Sequence, residues 1–298
     1  METNLWMQTS YLLISHYKQR ITALDRALYT SHGVKPRQGS HQDYHKLLNR
    51  FRQFLAEELK FYDQLLVRFV KQFGLEELLP VLSSIKSRAL NQEQVSKSEV
   101  ARNQFPPDDG QVVDLTLEQR EAKLATWSKL LVCMGDIERY REQYNDSEGR
   151  PRAGHEEGAP RKPNRGGKNG TGHEVIPRPR NYSKAKVVYE QARRVTPDDG
   201  NASHQLAILA SYQKDVFASV LHYYRSVCVR SPYDPASENL AVLLRKALEQ
   251  YAASRDRPAE PANTPRKRVD RFKEAAVVLH GIWVVDTTEY VVYSAYIV

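Results

Sequence analysis

The sequence predicts an all-α protein built from antiparallel helices. Apolar residues recur at spacings of three and four along most of the chain, which is the period of an amphipathic helix. Segments rich in proline, glycine and aspartate interrupt this pattern, as in Thr196-Pro-Asp-Asp-Gly, and they are typical of the turns between helices. The length of 298 residues is sufficient for one large domain or two small ones.

Four helices are predicted in the N-terminal half. Thr3 or Asn4 is a candidate N-cap of the first, and Gly74 is a candidate C-cap of the second. Pro80 is expected to kink or split the third helix, because proline removes a helical hydrogen bond. The predicted ranges are about 4–29, 41–73, 75–90 and 115–144.

The C-terminal half is predicted to contain shorter helices joined by tight turns. Antiparallel pairs of 12–15 residues with proline after the second member are typical of tetratricopeptide units. The first pair would be 115–144 with 183–195, and the second would be 201–212 with 216–229. Further helical patterns cover 236–252 and 271–283, whereas the β-branched and aromatic residues 284–298 match no pattern.

These patterns divide the chain into four segments. Residues 146–181 contain seven glycines and five prolines but almost no large apolar side chain, so we expect them to form a disordered, basic insertion. A helical part, 1–145, precedes the insertion and the tetratricopeptide-like hairpins, 182–254, follow it. Residues 255–298 combine a basic loop, the start of another helical region and an atypical tail.

The charge balance favours an acidic partner without identifying it. A net charge of +8 suits a phosphoprotein, a nucleic acid or an anionic membrane surface. No apolar run approaches the roughly 20 residues that span a bilayer, and no signal peptide is visible, so we expect no membrane partner and a cytoplasmic and nuclear location. Cys133 and Cys228 lie in apolar helical stretches, which predicts two buried thiols in a reducing compartment.

No motif indicates catalysis, a cofactor or a metal. His41 and His45 are one helical turn apart, but no further ligands complete a metal site. The glycine-rich run at 166–172 lacks the order of a phosphate-binding loop and lies between predicted helices. We therefore expect a protein that is not an enzyme.

Four segments in a fixed order resemble the family of ever-shorter-telomeres and nonsense-mediated mRNA decay adaptors, in its fungal form. The combination is specific, although each segment alone would be weak. The segments are Leu5-Trp6 followed by HYKQRI (16–21), MGDIERYREQ (134–143), YSKAKVVYEQARRVTPDDGNASHQLAILASY (182–212) and HYYRSVCVRSPYDPASENL (222–240). The resemblance implies a 14-3-3-like domain followed by tetratricopeptide-like hairpins, and it suggests that the chain is a piece of a larger protein.

The resemblance implies a function as a phosphopeptide-binding adaptor. In the decay branch of the family, the partner is the phosphorylated up-frameshift RNA helicase. The alternative is a telomerase-associated subunit in telomere maintenance that contacts telomerase and binds RNA or single-stranded telomeric DNA.

The resemblance also implies a phosphate-binding site. Lys18 matches the lysine of the family's aromatic-Lys-x-Gln/Arg-Ile run, and Arg139 with Tyr140 matches its Ile-x-Arg-Tyr run. These residue types suit the chemistry, because arginine binds two phosphate oxygens bidentately, lysine adds a mobile charge and a tyrosine hydroxyl donates a further hydrogen bond. Nothing in the spacing of Lys18 and Arg139 predicts that they meet.

A separate basic cluster, Arg266-Lys267-Arg268, allows three interpretations. It could be part of a solvated linker, a nuclear import signal or a sequence-independent contact with RNA or DNA phosphates.

Overall fold

The computed structural model describes residues 5–30, 40–90, 113–145, 180–254 and 264–295. Nine α-helices contain most of these residues, which confirms the all-α prediction. The helices are α1 (Tyr11–Thr30), α2 (Ser40–Gln72), α3 (Leu79–Leu90), α4 (Leu117–Gln143), α5 (Ser183–Val195), α6 (Gly200–Tyr212), α7 (Val216–Val227), α8 (Pro235–Ser254) and α9 (Pro265–Ala295). A π-helical turn, Trp6–Ser10, leads into α1, and a 3₁₀ turn, Glu76–Leu78, precedes α3.

The described residues form two compact units, which divide between Val188 and Tyr189. The predicted insertion falls almost wholly outside the described residues, as does the segment 255–263. The four-segment division of the chain therefore stays a prediction. Within the described residues, none of the helices combines the length and the mean hydropathy that a membrane-spanning segment requires.

The first unit is built around α2, which packs against both α1 and α4. Its core is aromatic and aliphatic, with Phe51, Leu55, Leu66 and Trp127 among the fully buried side chains. The Trp127 indole N–H donates a hydrogen bond to the backbone carbonyl of Leu66, at 3.2 Å. Because a buried indole needs a hydrogen-bond acceptor, this contact fixes the position of α4 along the axis of α2.

Gly74 ends α2 as its sequence context predicts. It adopts a left-handed conformation with φ of 58°, which costs glycine little. The Leu75 N–H then donates to the Val70 carbonyl at 3.0 Å, as in a Schellman motif. Pro80 is the second residue of α3, where its missing N–H removes no helical hydrogen bond. The predicted helix 75–90 is divided just before Pro80, into the 3₁₀ turn and α3.

The second unit is a stack of antiparallel helices. The hairpin of α6 and α7 is the most extensive helix pair, and α8 and α9 continue the packing. The core of this unit consists of small and medium side chains with one tyrosine: Ala207, Val220, Tyr223, Ala236, Leu240, Leu244 and Val277. The second predicted tetratricopeptide pair, 201–212 with 216–229, corresponds to α6 and α7.

Helix α9 differs from the sequence prediction at both ends. Thr264 caps it by accepting a hydrogen bond from the Lys267 N–H at 3.3 Å, and Pro265 occupies the first helical position. Arg266, Lys267 and Arg268 therefore lie in the first turn of a helix and not in a loop. At the other end the backbone stays helical to Ala295, through most of the tail that matched no pattern.

The two cysteines are free, but only one matches its prediction in part. Cys133 is half-buried within α4, and burial raises the pKa of its thiol. Cys228 is exposed and is the C-cap residue that directly follows α7. The expectation that both thiols are buried was therefore wrong for Cys228.

A close backbone crossing at the start of α6 generates a stability prediction for Gly200→Ala. A methyl group at this position would lie 2.2 Å from the Ser226 carbonyl oxygen and 2.8 Å from the Tyr233 nitrogen. Because both neighbours are backbone atoms, the hairpin must shift, and we expect a loss of about 2–3 kcal/mol in the free energy of unfolding. Urea denaturation followed by circular dichroism measures it.

Gly281→Ala is the matched control. Its added methyl group would meet only the Leu248 side chain, at 2.9 Å from Cγ, and alanine favours the helical conformation. A loss for Gly200→Ala no larger than that for Gly281→Ala would contradict the proposed backbone constraint.

Candidate functional site

The structure brings together the three residues that the family resemblance selected in the first unit. Lys18 lies on α1, whereas Arg139 and Tyr140 lie near the end of α4. The Lys18 ammonium is 5.0 Å from the centroid of the Tyr140 ring, and the Arg139 guanidinium carbon is 4.6 Å from the same centroid. Two cations therefore lie around one aromatic ring, at cation–π distance.

Helix α4 positions Arg139 and Tyr140 from a well-defined start. Thr116 and Gln119 form a capping box, in which each side chain accepts a hydrogen bond from the backbone of the other residue. Arg120 also pairs with Glu77 at 2.6 Å. These contacts fix the N-terminal end of α4, so the angular position of the residues near its other end follows from the helical period.

Helix α1 positions Lys18 through its buried face. Ile14 and Ile21 are fully buried, and the Tyr17 ring stacks on Phe51 of α2 with 5.0 Å between centroids. The same Phe51 ring meets Tyr144, just after α4, edge-on at 4.9 Å. Because Lys18 follows Tyr17 directly, this aromatic chain holds the lysine backbone near the end of α4.

Arg139 is held by an ion pair within its own helix. Its Nη2 atom lies 2.9 Å from the Asp136 carboxylate, and the residue is only 8% exposed. A buried guanidinium needs such a partner, since an unpaired buried charge is costly. The pair fixes the direction in which the planar Arg139 group faces.

The Tyr140 hydroxyl is kept neutral by its surroundings. Burial raises the pKa of Tyr140, and the positive charge of Arg139 opposes this only in part. A neutral phenol can donate a hydrogen bond, whereas a phenolate cannot. The site therefore holds two cationic donors and one neutral donor.

An open groove, lined among the described residues by side chains of α1 alone, runs along one face of this helix. It has a volume of about 460 Å³, and Tyr11, Ser15, Lys18, Thr22 and Arg26 line one face of the helix within it. The span from Tyr11 to Arg26 corresponds to about 22 Å of helix. Lys18 lies in the middle of this span, with a second cation, Arg26, at one end.

The other candidate residues lie in the second unit. Arg266, Lys267 and Arg268 are all exposed in the first turn of α9. Cations at a helix N-terminus are disfavoured by the helix dipole, so this cluster does not stabilise the helix that carries it. Among the described residues, no group of three histidine, cysteine or acidic side chains is arranged to hold a metal ion.

Sequence reasoning missed a second basic cluster in this unit. Arg193, Arg194 and Arg225 line a pocket of about 600 Å³ together with Ser203 and Tyr224. The sequence carried only a weak signal, because Arg193-Arg194 and Arg225 lie on different helices and each looks like an ordinary surface position.

The fold is an all-α array of helices that carries clusters of basic residues. A sequence model of "Telomerase activating protein Est1" matches residues 1–145, and one of the "Est1 DNA/RNA binding domain" matches residues 185–283. The chain belongs to the Est1 family, which confirms the resemblance found in the sequence.

Curated relatives carry names from both branches of this family. The chain is 26% identical over 202 residues to "Nonsense-mediated mRNA decay factor SMG7" of Arabidopsis thaliana, covering 68% of this chain and 14% of that protein. It is 37% identical over 99 residues to the Danio rerio protein of the same name, covering 33% and 8%. It is 29% identical over 124 residues to "Telomerase-binding protein EST1A" of Danio rerio, covering 42% and 6%. The matched regions thus make up a small part of each relative.

The buried phenol of Tyr140 predicts a loss of stability at alkaline pH. Since the folded unit raises the pKa of Tyr140 above 10.0, it binds the phenolic proton more tightly than the unfolded chain does. This contribution to stability is complete below pH 10.0 and is lost as the pH rises through the folded pKa, at up to about 1.4 kcal/mol per pH unit. In Tyr140→Phe, denaturant titrations above pH 10.0 should show a shallower loss than in wild type.

Tyr17→Phe is the control in the same unit, because Tyr17 is not among the groups that act on the pKa of Tyr140 and its ring stacking on Phe51 survives the change. An identical alkaline profile for Tyr140→Phe and wild type would show that Tyr140 keeps an ordinary pKa.

Proposed function

We propose that this chain is a non-enzymatic adaptor that binds a phosphorylated protein partner through Lys18, Arg139 and Tyr140. The observation that carries the proposal is the convergence of two cations from different helices on one tyrosine ring. A structural role does not require this convergence, since Tyr140 could be buried by apolar side chains alone. Paired cations beside a hydroxyl donor are the groups that a phosphoryl group needs.

The charge balance of the site suits a phosphoryl group. A phosphoserine carries a charge between about −1.5 and −2 at neutral pH. Asp136 compensates one of the two cations, so Lys18, Arg139 and Asp136 together keep a net positive charge. The Asp136 contact also holds the guanidinium in one orientation before a ligand arrives, which lowers the entropy cost of binding.

The groove on α1 provides room for the residues that flank the phosphorylated one. Its length of about 22 Å would accommodate roughly seven residues of extended peptide. With Lys18 at the middle, the phosphorylated residue would be central and Arg26 would lie beside the flanking sequence. An acidic residue on that side of the peptide should therefore strengthen binding.

We further propose that the adaptor acts in nonsense-mediated mRNA decay, in the cytoplasm and nucleus. The relatives named as decay factors support this pathway. The phosphorylated partner would then be the up-frameshift RNA helicase, which the family resemblance implies.

A second candidate function is nucleic-acid binding by the second unit, as part of a telomerase-associated protein. The match of residues 185–283 to a family domain named for DNA and RNA binding favours it, as does the relative named as telomerase-binding. The exposed cluster of Arg266, Lys267 and Arg268 would contact the phosphates of RNA or single-stranded DNA. The two functions use different units and are compatible in one chain.

Peptide titration tests the phosphopeptide proposal. A fluorescein-labelled peptide with phosphoserine followed by glutamine should bind more tightly than its unphosphorylated twin, by at least about tenfold. Lys18→Met should remove most of this difference, because it keeps the aliphatic stem and deletes the charge. Fluorescence anisotropy measures both affinities.

Lys46→Met is the matched control, since Lys46 is an exposed lysine on α2. It should leave the preference for the phosphorylated peptide unchanged. Arg139→Gln should also abolish the preference, with circular dichroism to verify that the unit stays folded after Asp136 loses its partner. Equal affinity for the two peptides in wild type would refute the proposal.

A further inference from the structure

The basic pocket of the second unit has a composition that its fold does not explain. Arg193 and Arg194 come from α5, and Tyr224 and Arg225 come from α7. None of the described residues that line the pocket carries a carboxylate. Three guanidinium groups thus surround a space of about 600 Å³ without an acidic side chain in its walls.

The surroundings of Arg193 disfavour its charged form. Burial lowers the pKa of the Arg193 guanidinium, and the positive charge of Arg225 lowers it further. Glu190 opposes this effect but is the weaker influence. The Arg193 Nε atom is buried and donates no hydrogen bond to the protein. Both observations indicate that a bound anion would stabilise the charged form of Arg193.

The chemistry of the pocket matches a phosphate. Arginine binds phosphate oxygens bidentately and is only weakly hydrated, which suits a partly buried position. Ser203, at the wall of the pocket, adds a hydroxyl. The volume lies within the range of small-ligand pockets, so a phosphate with part of a sugar fits inside.

A row of aromatic rings leads from the pocket wall to the surface. The Tyr224 ring lies 5.2 Å from His280 of α9, and the His280 ring lies 5.2 Å from Trp283. The Trp283 side chain is 55% exposed. An exposed indole two ring contacts from the wall of a phosphate site favours a nucleic acid over a phosphopeptide, because nucleobases stack on aromatic rings irrespective of their sequence.

We propose that this pocket binds single-stranded nucleic acid, with a backbone phosphate held by Arg193, Arg194 and Arg225 and a neighbouring base stacked on Trp283. The proposal rests on the second candidate function. The main contacts with the nucleic acid would then lie in this pocket and at Trp283, and not at Arg266, Lys267 and Arg268.

Oligonucleotide binding tests the contacts. Labelled single-stranded RNA and DNA of mixed sequence are titrated at several salt concentrations with the full chain. Arg225→Gln should weaken binding about tenfold and reduce the slope of log affinity against log salt by about 0.7, as expected for one lost phosphate contact. Trp283→Ala should weaken binding by a similar factor without changing the slope.

Arg245→Gln is the matched control, because Arg245 is an exposed arginine on α8 outside the pocket. An equal loss in this variant would mean that binding follows total charge, which would overturn the proposal. A loss confined to the combined change Arg266→Gln, Lys267→Gln and Arg268→Gln would overturn it as well, in favour of the first turn of α9.

Cys228 provides an internal reporter, since its exposed thiol lines the same pocket. Alkylation of Cys228 by iodoacetamide should slow at least severalfold when the oligonucleotide binds. Cys133 is the internal control, because burial raises the pKa of its thiol and it lies in the first unit. Protection of Cys228 by inorganic phosphate or the phosphopeptide, without protection by the oligonucleotide, would show an anion site of another kind and overturn the proposal.

The outcomes distinguish this inference from the two proposed functions. A wild-type chain that binds no oligonucleotide would refute both the inference and the second candidate function. Binding that persists unchanged in Arg225→Gln and Trp283→Ala would refute the inference alone. Lys18→Met should leave oligonucleotide binding unaffected, so the phosphopeptide proposal is tested independently.

Discussion

The burial of α4 is the constraint on which the candidate phosphate site depends. Buried apolar side chains lie on several sides of this helix, and the Trp127 hydrogen bond fixes its position along the axis of α2. Arg139 and Tyr140 are therefore buried polar groups, which are stable only with partners. Asp136 supplies one, one helical turn earlier, and Lys18 approaches from α1. The structural need for partners and the proposed ligand chemistry thus involve the same few groups.

The arginines of the two units have different electrostatic surroundings. In the first, Asp136 lies beside Arg139 and holds it in place, so the site is organised before binding. In the second, burial and the positive charge of Arg225 both disfavour the charged form of Arg193, so a bound anion would stabilise that form. This distinction explains how one helical scaffold could serve a phosphoprotein and a nucleic acid separately.

The sequence could predict the helices but not how they meet. Gly74 and the proline turns act locally, so their consequences were visible in the chain itself. The start of α9 was missed because the basic run after Thr264-Pro265 resembled a loop, although threonine and proline are a helix-start signal. The approach of Lys18 to Arg139 depends on tertiary packing, so only family resemblance could select both residues. The Arg193 and Arg225 pocket had neither a local signal nor a family motif, and only the folded structure brings its walls together.

If Lys18 and Arg139 together hold a phosphoryl group, the ionisation of that group must change on binding. Phosphorus NMR can follow the second pKa of phosphoserine, about 6 in free peptides, while the peptide is bound. Two adjacent cations stabilise the dianion, so we expect the phosphoserine pKa to be clearly lower in the complex and to recover in part in Lys18→Met. An unchanged pKa on binding would mean that the phosphoryl group lies away from both cations, and it would refute the proposed site.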